Sequence, residues 1–135
     1  MPSVLVIDDS EGCRAYLTTL LGRAGYHVHE LPNGESVAAF LAESPVDAII
    51  TDLFMPGADG LDTLRSVKQC APDVPVIGIT GAAWRTDDCY IQAMIVLGAA
   101  MVLLKPLDGN ALISALEWAI GLKAGTASLR DLARS

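Results

Sequence analysis

The sequence predicts an α/β fold in which helices cover both faces of a doubly wound, five-stranded parallel sheet. Two observations predict it. Short β-branched or leucine-rich runs recur without polar alternation, which is typical of strands buried on both faces of a parallel sheet. Segments with helical signals separate these runs, so strand and helix alternate, and right-handed crossovers are expected. The strands are predicted at Val4–Ile7, His27–Glu30, Ala48–Thr51, Val76–Ile79 and Met101–Leu104.

The first two helices have recognisable ends. Apolar residues recur at helical spacing after Asp9, where Asp9 or Ser10 can cap the start, and Gly25 follows as a C-cap residue. The second helix is predicted over roughly residues 35–42, and Ser44-Pro45 ends it.

The remaining three helices follow the third, fourth and fifth strands. Asp59 is predicted to cap the third helix and Asp108 the fifth, while the fourth covers roughly residues 87–97. In the fifth helix, Ile113 and Trp118 are predicted to lie off the core stripe, where they could form part of a docking face with the fourth helix.

Length and composition indicate one folded domain. The chain has 135 residues, of which 52% are hydrophobic and 19% charged. A chain of this size and composition can build a hydrophobic core without disulfides or a structural metal. The apolar stretch Ala93–Leu104 is too short to span a bilayer. We expect no signal peptide and no membrane segment, and three widely spaced cysteines fit reduced thiols in a cytoplasmic protein. From about Lys123 to Ser135 the apolar pattern is lost, which indicates a tail or linker.

The charge argues against direct nucleic-acid binding. The formal net charge is −7, and the nine lysines and arginines are scattered singly rather than clustered. Phosphate contacts require clustered basic residues. A basic protein partner is compatible with this charge.

Five polar residues come where four of the predicted strands end: Asp8, Asp9, Asp52, Thr80 and Lys105. Parallel strands end at one edge of a sheet, so these side chains should converge there. With the flavodoxin-like strand order 2-1-3-4-5, the topological switch point falls between the first and third strands, where ligands of open α/β sheets bind. An aspartate after a strand also commonly caps a helix or forms a turn, and convergence is what favours a site.

The acidic residues predict a magnesium site. Two carboxylates about 5 Å apart repel by about 3 kcal/mol at an effective dielectric of about 20. A hard divalent cation would offset this repulsion, and Mg²⁺ prefers carboxylate, carbonyl, water and phosphate oxygens. A carboxylate beside Mg²⁺, a lysine and a hydroxyl suits attack on a phosphoryl group to form an aspartyl phosphate.

From Ser3 to about Leu122 the chain resembles a receiver domain of the response-regulator family, the CheY-like phosphoacceptor half of two-component signalling. Five motifs in this order carry the resemblance. They are Asp8-Asp9, Asp52 with Met55-Pro56-Gly57-x-Asp59-Gly60, Thr80, Gly98-Ala99 and Lys105-Pro106.

The resemblance implies a role for each site residue. Asp52 would be the phosphoacceptor, supplied by a histidine kinase or a phosphotransfer protein. Asp8, Asp9, Asp52 and the backbone carbonyl of Phe54 would bind Mg²⁺. Thr80 would move toward the phosphoryl group and Lys105 would pair with it. The protein would then be a phosphorylation-controlled interaction switch that acts on a downstream protein, and not an enzyme. Residues 3–122 would form the receiver domain and residues 123–135 a tail or linker. The oligomeric state, monomer or dimer, stays open.

Two rival functions stay open. The family usually carries an aromatic residue three positions before the lysine, where this chain has Val102. Val102 therefore favours a receiver-like interaction module that works without phosphate. An aspartyl-nucleophile phosphatase is less favoured, because such enzymes place a second acid two residues after the nucleophile, and Phe54 occupies that position.

Overall fold

The computed structural model describes residues 2–52, 54–55, 58–80, 95–104 and 107–123. Five parallel strands form one sheet: β1 (Ser3–Ile7), β2 (His27–Leu31), β3 (Ala48–Asp52), β6 (Val76–Thr80) and β7 (Met101–Leu104). Their spatial order is β2-β1-β3-β6-β7. In chain order this is 2-1-3-4-5, so the predicted fold class is confirmed.

Four helices are described: α1 (Glu11–Arg23), α2 (Val37–Glu43), α3 (Gly60–Cys70) and α4 (Gly109–Lys123). The last of these corresponds to the fifth helix predicted from the sequence. Most of the predicted fourth helix lies outside the described residues, although Ile95 and Val96 at its end are helical.

The segment between β3 and α3 contains two short strands. β4 (Phe54–Met55) and β5 (Ala58–Asp59) pair in an antiparallel manner, apart from the main sheet. The sequence analysis did not predict these strands, because two-residue strands are too short to show a hydrophobic period.

The helix ends follow from local chemistry. Ser10 caps α1, its Oγ accepting a hydrogen bond from the amide of Cys13 at 3.2 Å. Gly25 follows that helix with a φ of 97°, a conformation that glycine adopts without steric cost. Asp108 caps α4, its Oδ1 accepting from the amide of Asn110 at 2.9 Å. These three predicted ends are confirmed.

The sheet separates two hydrophobic clusters. Val4 and Val6 of β1 point toward α1 and α4, while Leu5 and Ile7 point toward α2 and α3. Alternate side chains of a strand face opposite sides, so both faces of β1 are buried. This burial explains why the strand has no polar alternation in its sequence.

The position of Trp118 shows that the prediction of a docking face on the last helix was wrong for this residue. It is 8% exposed and belongs to the buried cluster on the α1 and α4 side, not to an exposed docking face. Ile113 is partly buried against the same cluster. The core stripe of α4 is wider than the sequence pattern indicated, because the helix packs against both the sheet and α1.

No helix among the described residues is long and apolar enough to cross a membrane.

Candidate functional site

Strand register brings the predicted polar residues to one edge of the sheet. Ile7 pairs with Thr51. The residues that follow these two in the chain, Asp8 and Asp52, therefore lie side by side. Asp52 pairs in turn with Ile79, which places Thr80 one position further along the neighbouring strand. The edge therefore carries the ends of the two strands that flank the topological switch point, as the sequence predicted.

Three carboxylates converge at this edge. Asp8, Asp9 and Asp52 each offer one oxygen, and these oxygens all lie within 4.8 Å of one another. Asp8 and Asp52 are buried, at 1% and 7% exposure, whereas Asp9 is exposed. The trio is thus half enclosed by the sheet and open to solvent on the side of Asp9.

The side chain and the backbone of Asp8 are both anchored. Asp8 Oδ1 accepts a hydrogen bond from the amide of Ser10 at 2.8 Å. Its carbonyl oxygen accepts one from Arg14 Nη1 at 2.6 Å, and its amide donates to the carbonyl of Leu31 at 3.2 Å. The carboxylate is consequently held by the turn that leads into α1.

Arg14 is a residue that the sequence reasoning missed. Besides its bond to Asp8, its Nε lies 3.6 Å from Glu30 Oε1 on β2. The Arg14 side chain is 18% exposed and that of Glu30 is 43% exposed. A signal was available, since Arg14 lies one helical turn after the cap residue Ser10 and therefore faces back toward the strand ends.

Of the other predicted site residues, the structure describes Thr80 and the backbone of Phe54. Thr80 is fully buried and is the last residue of β6, which pairs it with Leu104 of β7. Lys105 follows Leu104 in the chain but lies outside the described residues. The backbone of Phe54 lies in β4, two residues after Asp52, where it pairs with Asp59.

The donor set fits a hard divalent cation. Three carboxylate oxygens close together repel one another, and each pair about 5 Å apart costs roughly 3 kcal/mol at an effective dielectric of about 20. Carboxylate oxygens suit Mg²⁺ or Ca²⁺, whereas zinc and copper prefer nitrogen and sulfur ligands. Among the described residues, this trio is the one group of three or more potential metal-ligating side chains.

The comparisons with known proteins agree with this geometry. The family model described as "Response regulator receiver domain" matches residues 4–117. The chain is 36% identical to the response regulator receiver protein CpdR of Brucella abortus over 83 residues, which is 62% of this chain and 69% of that protein. It is 37% identical to the DNA-binding transcriptional regulator NtrC of Salmonella typhimurium over 117 residues, which is 87% of this chain but 24% of NtrC.

A solved structure shows the same fold. A response regulator receiver domain protein from Clostridium thermocellum superimposes with a TM-score of 0.82 at 32% identity, covering 92% of this chain and 98% of that one. Several curated relatives are longer, and the chain spans between about a quarter and a half of their length. The family match covers most of the chain, and the acidic edge lies within it. The chain belongs to the response regulator receiver domain family of two-component signalling.

Proposed function

We propose that Asp52 accepts a phosphoryl group in a Mg²⁺-dependent reaction, and that the resulting acyl phosphate switches the interactions of the domain. The single observation that carries this proposal is the convergence of Asp8, Asp9 and Asp52 within 4.8 Å at the switch point of the sheet. Buried Asp52 offers a carboxylate nucleophile, and the two neighbouring acids offer the oxygens that a hard cation requires.

In this reaction a carboxylate oxygen of Asp52 attacks the phosphorus of the donor. A new oxygen–phosphorus bond forms, the bond from phosphorus to the donor's leaving atom breaks, and the electron pair departs with the leaving group. For a phosphohistidine of a kinase or phosphotransfer protein, that atom is an imidazole nitrogen, which then takes up a proton. Bound Mg²⁺ would neutralise charge on the transferred oxygens.

The surrounding residues have distinct roles in the proposal. Asp8 and Asp9 would hold the metal, and the carbonyl oxygen of Phe54 would be a further ligand. The Ser10 amide, bonded to Asp8 at 2.8 Å, would keep one carboxylate oxygen turned away from the neighbouring acids. Thr80, at the end of the strand beside Asp52, would hydrogen-bond a phosphoryl oxygen. Lys105 would pair with the same group.

The switch itself would use the strand that ends in Thr80. A hydroxyl drawn toward new phosphoryl oxygens would shift the segment that follows β6, so that a different partner surface is favoured. We propose a histidine kinase or phosphotransfer protein as the donor and a protein as the downstream partner, with no turnover of a substrate. The receiver unit would comprise residues 3–122, followed by a tail or linker over residues 123–135, in the cytoplasm.

Val102 supports a second candidate, an interaction module that signals without phosphate. Its side chain packs, partly buried, against the hydrophobic cluster on the α2 and α3 side. A packed valine has no ring to exchange between inward and outward positions, so output through an aromatic rotamer is excluded at this position.

Intact mass spectrometry after incubation with acetyl phosphate and Mg²⁺ separates the two candidates. We expect the protein to gain the mass of one phosphoryl group, and D52N and the EDTA-treated protein to gain none. T80A should still be phosphorylated, because Thr80 is proposed to respond to the phosphate rather than to accept it. An unmodified wild-type mass, or an equal gain in D52N, would overturn the phosphoacceptor role.

A further inference from the structure

A second group of metal-ligating side chains lies on edge strand β2, away from the acidic trio. The chain has two histidines, His27 and His29, and both are in this strand. Residues two apart in a strand face the same side, so both imidazoles project from one face of the sheet. His29 pairs with Leu5, whose side chain belongs to the cluster on the α2 and α3 side.

The two rings meet edge to face, at a separation that would also allow them to share one ion. Their centroids lie 4.8 Å apart, with an angle of 73° between the ring planes. An imidazole nitrogen binds Zn²⁺ at about 2.1 Å and the ring centre lies about 1 Å further, so two rings sharing one ion have centres roughly 4.5–5 Å apart. The observed ring spacing falls within that range, and binding would require the His27 ring to turn out of the edge-to-face arrangement.

The surroundings fix one ring and leave the other adjustable. Phe40 of α2 packs edge-on against His29, with centroids 5.3 Å apart, and His29 is partly buried. His27 is exposed, so its ring can rotate to direct a nitrogen at a shared ion. Because β2 is the outermost strand of the sheet, the position beside the rings is accessible to solvent.

We infer that His27 and His29 form a binding site for a borderline transition-metal cation such as Zn²⁺. Imidazole nitrogens favour Zn²⁺, Cu²⁺ and Ni²⁺ over Mg²⁺, which prefers the acidic trio. Among the parts of the chain that the structure describes, no third histidine, cysteine, aspartate or glutamate completes the site. Water therefore occupies the remaining coordination positions, and the site does not depend on the proposed phosphoacceptor function.

A titration of untagged protein with Zn²⁺, followed by NMR of the imidazole C–H signals, tests this site. Saturating Mg²⁺ occupies the acidic trio, and zinc held by cysteine thiols would leave the imidazole signals unmoved. Both imidazoles should shift together and saturate at one ion per chain. H27Q and H29Q should each weaken this binding by at least about tenfold, since loss of even an outer-shell partner typically costs 10- to 100-fold.

Two controls separate this inference from the phosphoacceptor proposal. D52N should keep the zinc response, and H27Q and H29Q should gain phosphate from acetyl phosphate as the wild type does. The inference would be overturned by imidazole signals that do not shift with Zn²⁺, that shift independently of each other, or that saturate at one ion per two chains.

Discussion

Arg14 binds the backbone carbonyl oxygen of Asp8 through its Nη1 atom at 2.6 Å, and this contact joins α1 to the acidic end of β1. A charged donor makes a stronger bond than a neutral one, and the carbonyl lies in a partly buried position. The arginine thus positions the residue whose carboxylate accepts a hydrogen bond from the Ser10 amide and lies near the other two acids.

Replacing Arg14 by alanine should weaken Mg²⁺ binding. The Asp8 carbonyl would lose its partner, which costs roughly 1–3 kcal/mol of stability, and the carboxylate would become less well oriented. We expect a loss of about tenfold in Mg²⁺ affinity, comparable to the loss of an outer-shell partner. Calorimetric titration with Mg²⁺ measures this affinity. E30Q is the matched control, because it removes only the half-exposed ion pair, and pairs of that kind contribute little. Equal Mg²⁺ affinity in R14A and wild type would contradict a positioning role.

Neutralising Asp52 should stabilise the protein in the absence of Mg²⁺ and should reduce the further stabilisation that Mg²⁺ provides. Without a cation, D52N removes two repulsive pairs of up to roughly 3 kcal/mol each, so the variant should melt at a higher temperature than the wild type. With Mg²⁺ at 100 times its dissociation constant, the wild type should gain about 2.7 kcal/mol, and D52N less. Thermal melts in EDTA and in Mg²⁺ measure both differences. D62N should show neither difference, since Asp62 is exposed on α3 and, among the described residues, its ion pair is with Arg65 at 3.6 Å. A wild-type melting temperature that does not change with Mg²⁺ would contradict a metal site at the three aspartates.

The turn before α2 should tolerate no side chain at Gly34. A β-carbon there would overlap Thr63 Oγ1 and would lie 3.1 Å from both Cβ and Cγ2 of Thr63, which is buried on α3. G34A should therefore lower the free energy of unfolding by about 1–3 kcal/mol. T63A in the G34A background removes Oγ1 and Cγ2, so part of the loss should be recovered. Urea unfolding of both single variants and the double variant gives the coupling energy, expected at about 0.5–3 kcal/mol for residues in contact. Additive losses would show that the two positions are independent.

Stability should fall at alkaline pH because of Tyr26. Burial raises the pKa of this phenol above its usual value, and the negative charge of Glu117 raises it further. A raised pKa in the folded state means that the stabilising contribution is fully present below the unfolded value of about 10. It is lost as pH rises through the folded pKa. Relative to Y26F, the wild type should lose stability in that alkaline range, as measured by urea midpoints at successive pH values. A Y26F profile that matches the wild type would refute the assignment.

The sheet and its polar edge were predictable from the sequence because their causes are local. A strand covered on both faces is predominantly apolar, as in Val4–Ile7 and Val76–Ile79, and both segments are fully buried. The parallel direction of such strands then determines which residues meet. The approach of Asp8 to Asp52 follows from strand order and register alone.

Long-range packing decided what the sequence left undetermined. Arg14 reaches Asp8 and Glu30 only because α1 docks across β1 and β2, and Trp118 is buried because α4 meets both the sheet and α1. The contact of Phe40 with the His29 ring likewise depends on how α2 docks against β2.

The sequence by itself therefore determined the order of strands and helices, the residues that follow each strand, and the convergence of three aspartates at one edge. The tertiary structure decided which side chains orient those aspartates, which aromatic residue enters the core, and how far apart the two imidazoles lie. The physical reason is that burial of a strand constrains every residue along it, whereas contacts between elements depend on how helices dock, which no local pattern specifies.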